Sequence, residues 1–125
     1  MMDLNQITIS VLDIEQSIFF YENLGLSLIV KSLPDYARFS CIVGSSTFSL
    51  HRVNKLSECS GICIYFEVQQ LDNVVQNLIN KGFVFEEMPN DKRWLWREAK
   101  LRDPDNYQLV LYFAGENRID PPWKI

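Results

Sequence analysis

The sequence predicts an α+β fold made of two βαβββ modules within a single domain, residues 1–125. The first observation is the segment QITISV (6–11), where polar and apolar residues alternate as they do along a half-buried strand. The second is the stretch after it, where apolar residues recur at helical spacing. The third is that this strand and helix return after a fixed offset, since Val11 recurs as Val68 (68 − 11 = 57) and Gly25 as Gly82 (82 − 25 = 57). The predicted parts are module one at roughly 5–53, module two at roughly 61–113 and a C-terminal tail at 114–125.

Module one begins with the alternating strand and continues with a helix. Ile14, Ile18 and Tyr21 fall on one helical face. Asp13 is placed to cap the N-terminus of this helix, and Gly25 follows its last residues as a C-terminal cap would. Three extended segments follow, separated by the turn-forming LPD and GSS, at 26–32, 36–43 and 47–53.

Module two repeats this order. The segment 61–68 alternates again, and an apolar helical stripe follows and ends at Lys81-Gly82. The stripe consists of Leu71, Val74 with Val75, and Leu78. Three more strands are predicted at 83–88, 94–102 and 107–113, with DPDN (103–106) as a turn before the last of them.

The composition suits a globular protein and disfavours several partners. Hydrophobic residues make up 47% of the chain and charged residues 22%. Because the formal net charge is −4, nucleic acid and anionic membrane surfaces are not expected as partners. The N-terminus lacks a signal-peptide pattern and no apolar run approaches the roughly 20 residues of a membrane span, which predicts a cytoplasmic protein. The three cysteines, Cys41, Cys59 and Cys63, are then expected to be reduced thiols.

Each helix must cover the apolar face of its sheet, so the chemistry of the opposite face is informative. That face mixes polar, aromatic and apolar residues, whereas a face toward water would carry more Lys, Glu and Arg. Such a mixture predicts a semi-polar ligand cavity. The candidate cavity residues are Gln6, Thr8, Arg38, Ser49, His51, Cys63, Tyr65, Glu67, Trp94, Trp96, Val110 and Tyr112.

Three stretches together resemble a known family. They are ITISVLDIEQSIFFYENLGL, its weaker echo ICIYFEVQQLDNVVQNLINKGF, and DPDNYQLVLY. They are similar to the vicinal-oxygen-chelate superfamily, which contains glyoxalase I, extradiol dioxygenases, fosfomycin-resistance enzymes and bleomycin-resistance proteins. The resemblance covers nearly the whole chain and implies that the two modules form a half-open eight-stranded barrel with the helices on the outside, within one chain or across a dimer. It also favours a homodimer.

In glyoxalase-like members of that family, four side chains hold a divalent metal. The resemblance places these positions on Gln6, Ser49, Cys63 and Val110. Gln is an acceptable ligand, but Ser is a poor one and Val has no donor atom, so no metal or other cofactor is expected. The alternative is a divalent-metal site formed by Gln6, His51 and Glu67, which would make the protein a metal-dependent lyase or dioxygenase.

Further features bear on a ligand. Trp94 and Trp96 are predicted on one face of a strand, either as an aromatic wall of the cavity or as part of a protein interface. Arg38 either binds a carboxylate or phosphate in the cavity or pairs with an acidic neighbour. In the tail, Trp123 after two prolines is expected to dock on a protein surface.

These observations favour a small-molecule binding protein similar to the bleomycin-resistance proteins, with an aromatic or cationic ligand. Whether it is an enzyme stays open, with the balance toward a non-catalytic role. The metal-dependent enzyme is the first alternative. The second is a non-catalytic interaction module with a collapsed cavity and an exposed apolar patch elsewhere.

Overall fold

The computed structural model of the protein describes residues 1–58 and 61–125. The chain divides into two compact units, Met1–Glu58 and Cys59–Ile125. Cys59, one of the three predicted thiols, lies outside the described residues, whereas Cys41 and Cys63 are free. No helix of the described part of the chain is long and apolar enough to cross a bilayer.

Unit 1 is a four-stranded sheet with one helix. Its elements are β1 (Gln6–Val11), α1 (Ile14–Leu24), β2 (Ser27–Ser32), β3 (Tyr36–Ser40) and β4 (Thr47–Arg52). The strand order is β1-β4-β3-β2, with β1 parallel to β4 and the other two pairs antiparallel. The strands β4 and β3 are therefore the interior strands of this sheet.

Local sequence sets the ends of α1. The side chain of Asp13 accepts a hydrogen bond from the backbone N–H of Gln16, at 3.1 Å, and thereby satisfies one of the free donors of the first turn. Gly25 ends the helix with φ at 124°, a conformation that favours glycine. The buried ring of Tyr21 packs on Phe39 and Phe48, with ring centroids 5.9 and 4.8 Å away. The helix thus covers the apolar face of the sheet, as predicted.

Unit 2 repeats the arrangement. Its elements are β5 (Cys63–Glu67), α2 (Leu71–Asn80), β6 (Phe85–Asp91), β7 (Arg97–Arg102) and β8 (Gln108–Phe113), with a 3₁₀ turn at Gly115–Asn117. The strand order is β5-β8-β7-β6, with β5 parallel to β8. Leu71, Val75 and Leu78 are the buried residues of α2, which confirms the predicted stripe. Arg97 on the same side of the sheet pairs with Asp72 of the helix at 2.9 Å.

The predicted α+β fold with two βαβββ modules is confirmed. The strand pairs of the described residues form two separate four-stranded sheets and do not close one barrel of hydrogen-bonded strands. In both sheets the register follows the predicted alternation, since Ile9 pairs with Leu50 and Ile64 with Leu109, all of them buried. The residues assigned to the face opposite each helix therefore do share that face.

Several strand bounds differ from the predicted ones, and β3, for example, ends at Ser40 and not at residue 43. The sequence predicted a strand at 94–102, but β7 begins at Arg97, because the chain turns at 93–95 and Leu95 has φ at 69°. Trp94 therefore lies in a turn, and Trp96 directly precedes β7. The strand β6 runs to Asp91, beyond the predicted end at residue 88, and its register with β7 is irregular across Pro89, which has no N–H to donate.

Candidate functional site

In unit 1, the sheet register brings the predicted polar residues together on the face away from α1. Thr8 of β1 lies opposite Ser49 of β4, and Ser49 in turn lies opposite Arg38 of β3. Gln6 is paired with Thr47, and its side chain reaches back toward Ser49. The predicted residues Gln6, Thr8, Ser49 and Arg38 thus occupy one continuous patch, although His51 lies further along the sheet.

A chain of hydrogen bonds links this patch, which we call the polar relay: Gln6, Ser49, Tyr36 and Arg38. The Nε2 of Gln6 donates to the Oγ of Ser49 at 2.9 Å, and that oxygen lies 2.7 Å from the hydroxyl of Tyr36. The Nε of Arg38 donates to the same Tyr36 hydroxyl at 2.9 Å. Thr47 donates to the Oε1 of Gln6, so both ends of the Gln6 amide are held.

The polar relay changes the acidity of Tyr36. The hydrogen bond from Ser49 and, more weakly, the bond and charge of Arg38 lower the pKa of the Tyr36 phenol, against the opposing effect of burial. Tyr36 was absent from the predicted site residues. Its sequence signal was available, because Tyr36 has the same strand parity as Arg38.

His51 is not brought together with Gln6. It lies opposite Ser10 and Tyr36, whereas Gln6 lies opposite Thr47, four residues earlier on the same strand. At about 3.3 Å per residue, this separates the two backbones by about 13 Å. The His51 side chain is exposed, and the Gln6 amide is already bonded to Ser49 and Thr47.

In unit 2, the face away from α2 carries an aromatic cluster formed by Tyr65, Trp96 and Tyr112. Trp96 stacks on Tyr112 with ring centroids 4.7 Å apart, and Tyr65 stands edge-on to both at 6.1 and 5.5 Å. Tyr112 is buried together with Val110, but Tyr65 is 47% exposed. Burial raises the pKa of Tyr65 and of Tyr112, so both phenols stay protonated at neutral pH.

Two carboxylates border the aromatic cluster. Glu98 is only 2% exposed and accepts a hydrogen bond from the indole Nε1 of Trp94 at 2.8 Å. The turn at 93–95 thus still directs Trp94 to the predicted face, although Trp94 is outside the strand. The carboxylate of Glu67 accepts from the backbone N–H groups of Ala114 and Gly115, at 2.8 and 3.1 Å. Glu98 was another residue missing from the predicted site.

The start of the tail is docked on unit 2. Arg118 lies 3.7 Å from the Glu67 carboxylate, and the carbonyl of Asn117 accepts from the indole of Trp96 at 3.2 Å. Trp123 itself is 55% exposed in the chain. The tail therefore contacts unit 2 through its first residues, and the expected docking of Trp123 on a protein surface stays a prediction.

The residues present fit a four-ligand metal centre poorly. Val110 has no donor atom and is 1% exposed, and the Ser49 hydroxyl is bonded on both sides within the polar relay. Cys63 is exposed and lies opposite Gln108 of β8. Val110, two residues further along β8, has no atom that could join Cys63 as a metal ligand. Within residues 1–58 and 61–125, no group of three or more His, Cys, Asp and Glu side chains is close enough to hold an ion. We therefore derive no chemical step through a metal.

A depression of about 370 Å³ lies elsewhere on unit 2, at the N-terminus of α2. It is lined by Gln70, Leu71, Asp72, Asn73, Arg97 and Phe113. None of these is a predicted site residue, and Arg97 and Phe113 lie on the helix side of the sheet. Because Arg97 is already paired with Asp72 and Asp91, the described residues that line the depression offer no free cation to a ligand.

Comparison with known proteins identifies relatives. The family model described as the Glyoxalase/Bleomycin resistance protein/Dioxygenase superfamily matches residues 3–111. The uncharacterized protein YraH of Bacillus subtilis (strain 168) is 29% identical over 127 residues, which cover 89% of this chain and 98% of that protein.

Solved structures of low sequence identity share the fold. A crystal structure of a glyoxalase/bleomycin resistance protein/dioxygenase from Nocardioides matches with a TM-score of 0.74 at 21% identity, over 91% of this chain and 84% of that chain. A lactoylglutathione lyase from Agrobacterium tumefaciens matches with a TM-score of 0.71 at 13% identity, over 89% and 92% of the two chains. At such identities the likeness establishes architecture, and the chemistry must come from this chain's own residues.

Proposed function

Because the chain belongs to the glyoxalase/bleomycin resistance protein/dioxygenase superfamily, we propose that it is a small-molecule binding protein whose ligand is aromatic or cationic and whose binding needs no metal. The observation that carries the proposal is the aromatic cluster of unit 2 beside the buried carboxylate of Glu98. The ligand-binding surface is the face of the sheet away from the helix.

The aromatic cluster suits a planar ligand. The half-exposed ring of Tyr65 is held edge-on by Trp96 and Tyr112, so its orientation is fixed before a ligand arrives. Ring faces attract both planar groups and cations, and a fixed ring loses little side-chain entropy on binding. A bound aromatic group would stack on or beside Tyr65.

The buried carboxylate of Glu98 favours a cationic ligand. Within the described residues, Glu98 has no Lys, Arg or His at ion-pair distance, although it is almost fully buried. A buried carboxylate without a counter-charge is costly, and a ligand cation near it would lower that cost. The negative charge of Glu98 adds to burial in raising the pKa of Tyr65, which places its field at the aromatic cluster.

The test is a binding titration followed by tryptophan fluorescence. Benzyltrimethylammonium is the probe, and its neutral isostere, neopentylbenzene, measures the part of binding that does not depend on charge. We expect the native protein to bind the cation more tightly than the neutral isostere and Glu98→Gln to remove that preference. Trp96→Leu should lower the affinity for both probes. Glu116→Gln is the matched control for Glu98→Gln, since Glu116 lies outside the aromatic cluster. Equal binding of the two probes by the native protein would refute the cationic ligand, and binding of neither would refute the proposed site.

The metal-dependent alternative with Gln6, His51 and Glu67 makes a different prediction. Thermal unfolding of chelator-stripped protein with excess Ni²⁺, Zn²⁺, Mn²⁺ or Fe²⁺ tests it. An ion at ~100 times its dissociation constant would stabilise the native state by about 2.7 kcal/mol. Our proposal expects no such shift, and a shift that disappears in His51→Ala would establish the alternative.

We also propose that the protein is a homodimer. Trp123 and Ile119 are 55% and 66% exposed in the single chain, and large apolar side chains of a tail are common at subunit contacts. Light scattering after gel filtration would give twice the 14.6 kDa chain mass. Trp123→Ser should shift the protein toward the monomer, and a native protein that elutes as a monomer at high concentration would exclude this assembly.

A further inference from the structure

Arg38 differs from the other arginines that lie within strands. Arg52 pairs with Asp35, Arg97 with Asp72, and Arg102 with Glu86. Within residues 1–58 and 61–125, no carboxylate lies at ion-pair distance from Arg38, although it occupies the interior strand β3 and is half-buried. A half-buried cation without a counter-charge is costly, and an anionic ligand would lower that cost.

The guanidinium of Arg38 is held in place with its outer nitrogens available. Its Nε donates to the Tyr36 hydroxyl at 2.9 Å, and its central carbon lies 5.4 Å from the centre of the Tyr36 ring. These contacts leave Nη1 and Nη2 without a hydrogen-bond partner in the described part of the chain. Two parallel N–H donors in a fixed plane match the two oxygens of a carboxylate or of a phosphate.

The hydrogen-bond directions along the polar relay make the Tyr36 hydroxyl a further donor. The buried Ser49 hydroxyl touches the Nε2 of Gln6, which donates to it, and the Tyr36 hydroxyl. Within the described residues, the only acceptor that Ser49 contacts is therefore Tyr36, so Ser49 donates its proton to Tyr36. The Tyr36 oxygen then accepts from both Ser49 and Arg38, and its own O–H is left to point away from the relay. Tyr36 is thus a donor to whatever lies beside Arg38.

We propose that Arg38 and Tyr36 form an oxyanion-binding subsite on the face of unit 1 away from α1, for the carboxylate or phosphate group of a small organic ligand. The fork of Arg38 binds two oxygens, the Tyr36 hydroxyl donates to one of them, and Ser49 and Gln6 are positioning residues that orient that hydroxyl. This subsite goes beyond the proposed function, because it consists of unit 1 residues and stands without the aromatic cluster.

The experiment is an NMR titration of protein that carries ¹³C at the ζ carbon of tyrosine. Comparison with Tyr36→Phe assigns the Tyr36 signal among the five tyrosines. The probes are benzoate, phenyl phosphate and, as a cationic comparison, benzyltrimethylammonium. We expect both anions to move the Tyr36 signal in a saturable way and the cation to leave it in place. Tighter binding of benzoate would identify the subsite as one for carboxylates, and tighter binding of phenyl phosphate as one for phosphates.

Variants of Arg38 separate the contribution of its two parallel N–H donors from the contribution of its positive charge. Arg38→Gln should weaken anion binding about tenfold or more, as expected for loss of a charge-assisted hydrogen-bonded pair. Arg38→Lys keeps the charge but loses the two parallel N–H donors, so its anion affinity should lie between those of the native protein and Arg38→Gln. Arg52→Gln is the matched control, because Arg52 lies in the same sheet but pairs with Asp35. It should leave anion affinity unchanged.

Two results would overturn the subsite: a Tyr36 signal that no anion moves, or an anion affinity that Arg38→Gln leaves at the native value. Failure of the proposed function looks different, because it is read from the tryptophan fluorescence of the aromatic cluster with the cationic probe. A protein that binds benzoate at Tyr36 but not the cation at Trp96 would keep the subsite and refute the proposed function.

Discussion

Ser49→Ala removes the centre of the polar relay. Ser49 is fully buried and makes two hydrogen bonds, to Gln6 at 2.9 Å and to Tyr36 at 2.7 Å. A neutral hydrogen bond contributes about 1 kcal/mol net, so loss of both would cost up to about 2 kcal/mol. Gln6 is exposed and Tyr36 is half-buried, and water can partly replace the lost partner. We therefore expect the free energy of unfolding to fall by about 1–2 kcal/mol.

Urea unfolding at neutral pH measures this change, and Ser40→Ala is the matched control. Ser40 lies on the same face of the sheet, and its side chain has no hydrogen bond within the described residues. The same Ser49→Ala variant should raise the pKa of Tyr36 toward its ordinary value, because the Ser49 bond is the largest cause of its lowering. An unfolding free energy equal to that of Ser40→Ala, with an unchanged Tyr36 titration, would refute the relay.

Other contacts of the fold make further predictions. Asp13→Ala should cost about 1 kcal/mol in urea unfolding through loss of the α1 cap, and an unchanged midpoint would contradict that role. Phe48→Ala should lower the free energy of unfolding by about 3–5 kcal/mol, because it opens a cavity beneath α1. A loss below about 1 kcal/mol would contradict the packing of Phe48 against that helix. Glu67→Ala leaves two backbone N–H groups unpaired and should cost about 2 kcal/mol, with faster amide exchange at Ala114 as the local readout. At pH values between the lowered pKa of Tyr36 and its ordinary value of 10.0, the unfolded chain binds more protons than the native protein does. The native protein should therefore gain stability relative to Tyr36→Phe as pH rises through that window, and pH-independent differences would contradict the lowered pKa.

The parts of the fold set by neighbouring residues were predictable. The cap at Asp13, the positive φ of Gly25 and the apolar stripe of α2 all follow from local sequence and are all confirmed. The faces of the strands followed from alternation, because the side-chain period of a strand is two.

Features set by contacts between distant residues were not predictable. The strand parity of Tyr36 could have placed it on the face of Arg38, but its hydrogen bonds depend on the register that brings β3 beside β4 and on the buried hydroxyl of Ser49. The turn that removes Trp94 from β7 depends on the positive φ of Leu95, which its residue type does not favour. The Glu98 carboxylate was missed because its burial arises from the packing of unit 2 and not from its residue type.

The most direct test of the central claim is the affinity of chelator-stripped protein for benzyltrimethylammonium, measured by equilibrium dialysis in the presence of a chelator. The claim is that the aromatic cluster and Glu98 bind a small cationic aromatic molecule without a metal. We predict saturable binding with the same affinity in chelator as with added Mn²⁺ or Zn²⁺, and a weaker affinity in Glu98→Gln. Binding that is absent in chelator and returns only with a metal ion would contradict the claim and support the enzyme with Gln6, His51 and Glu67.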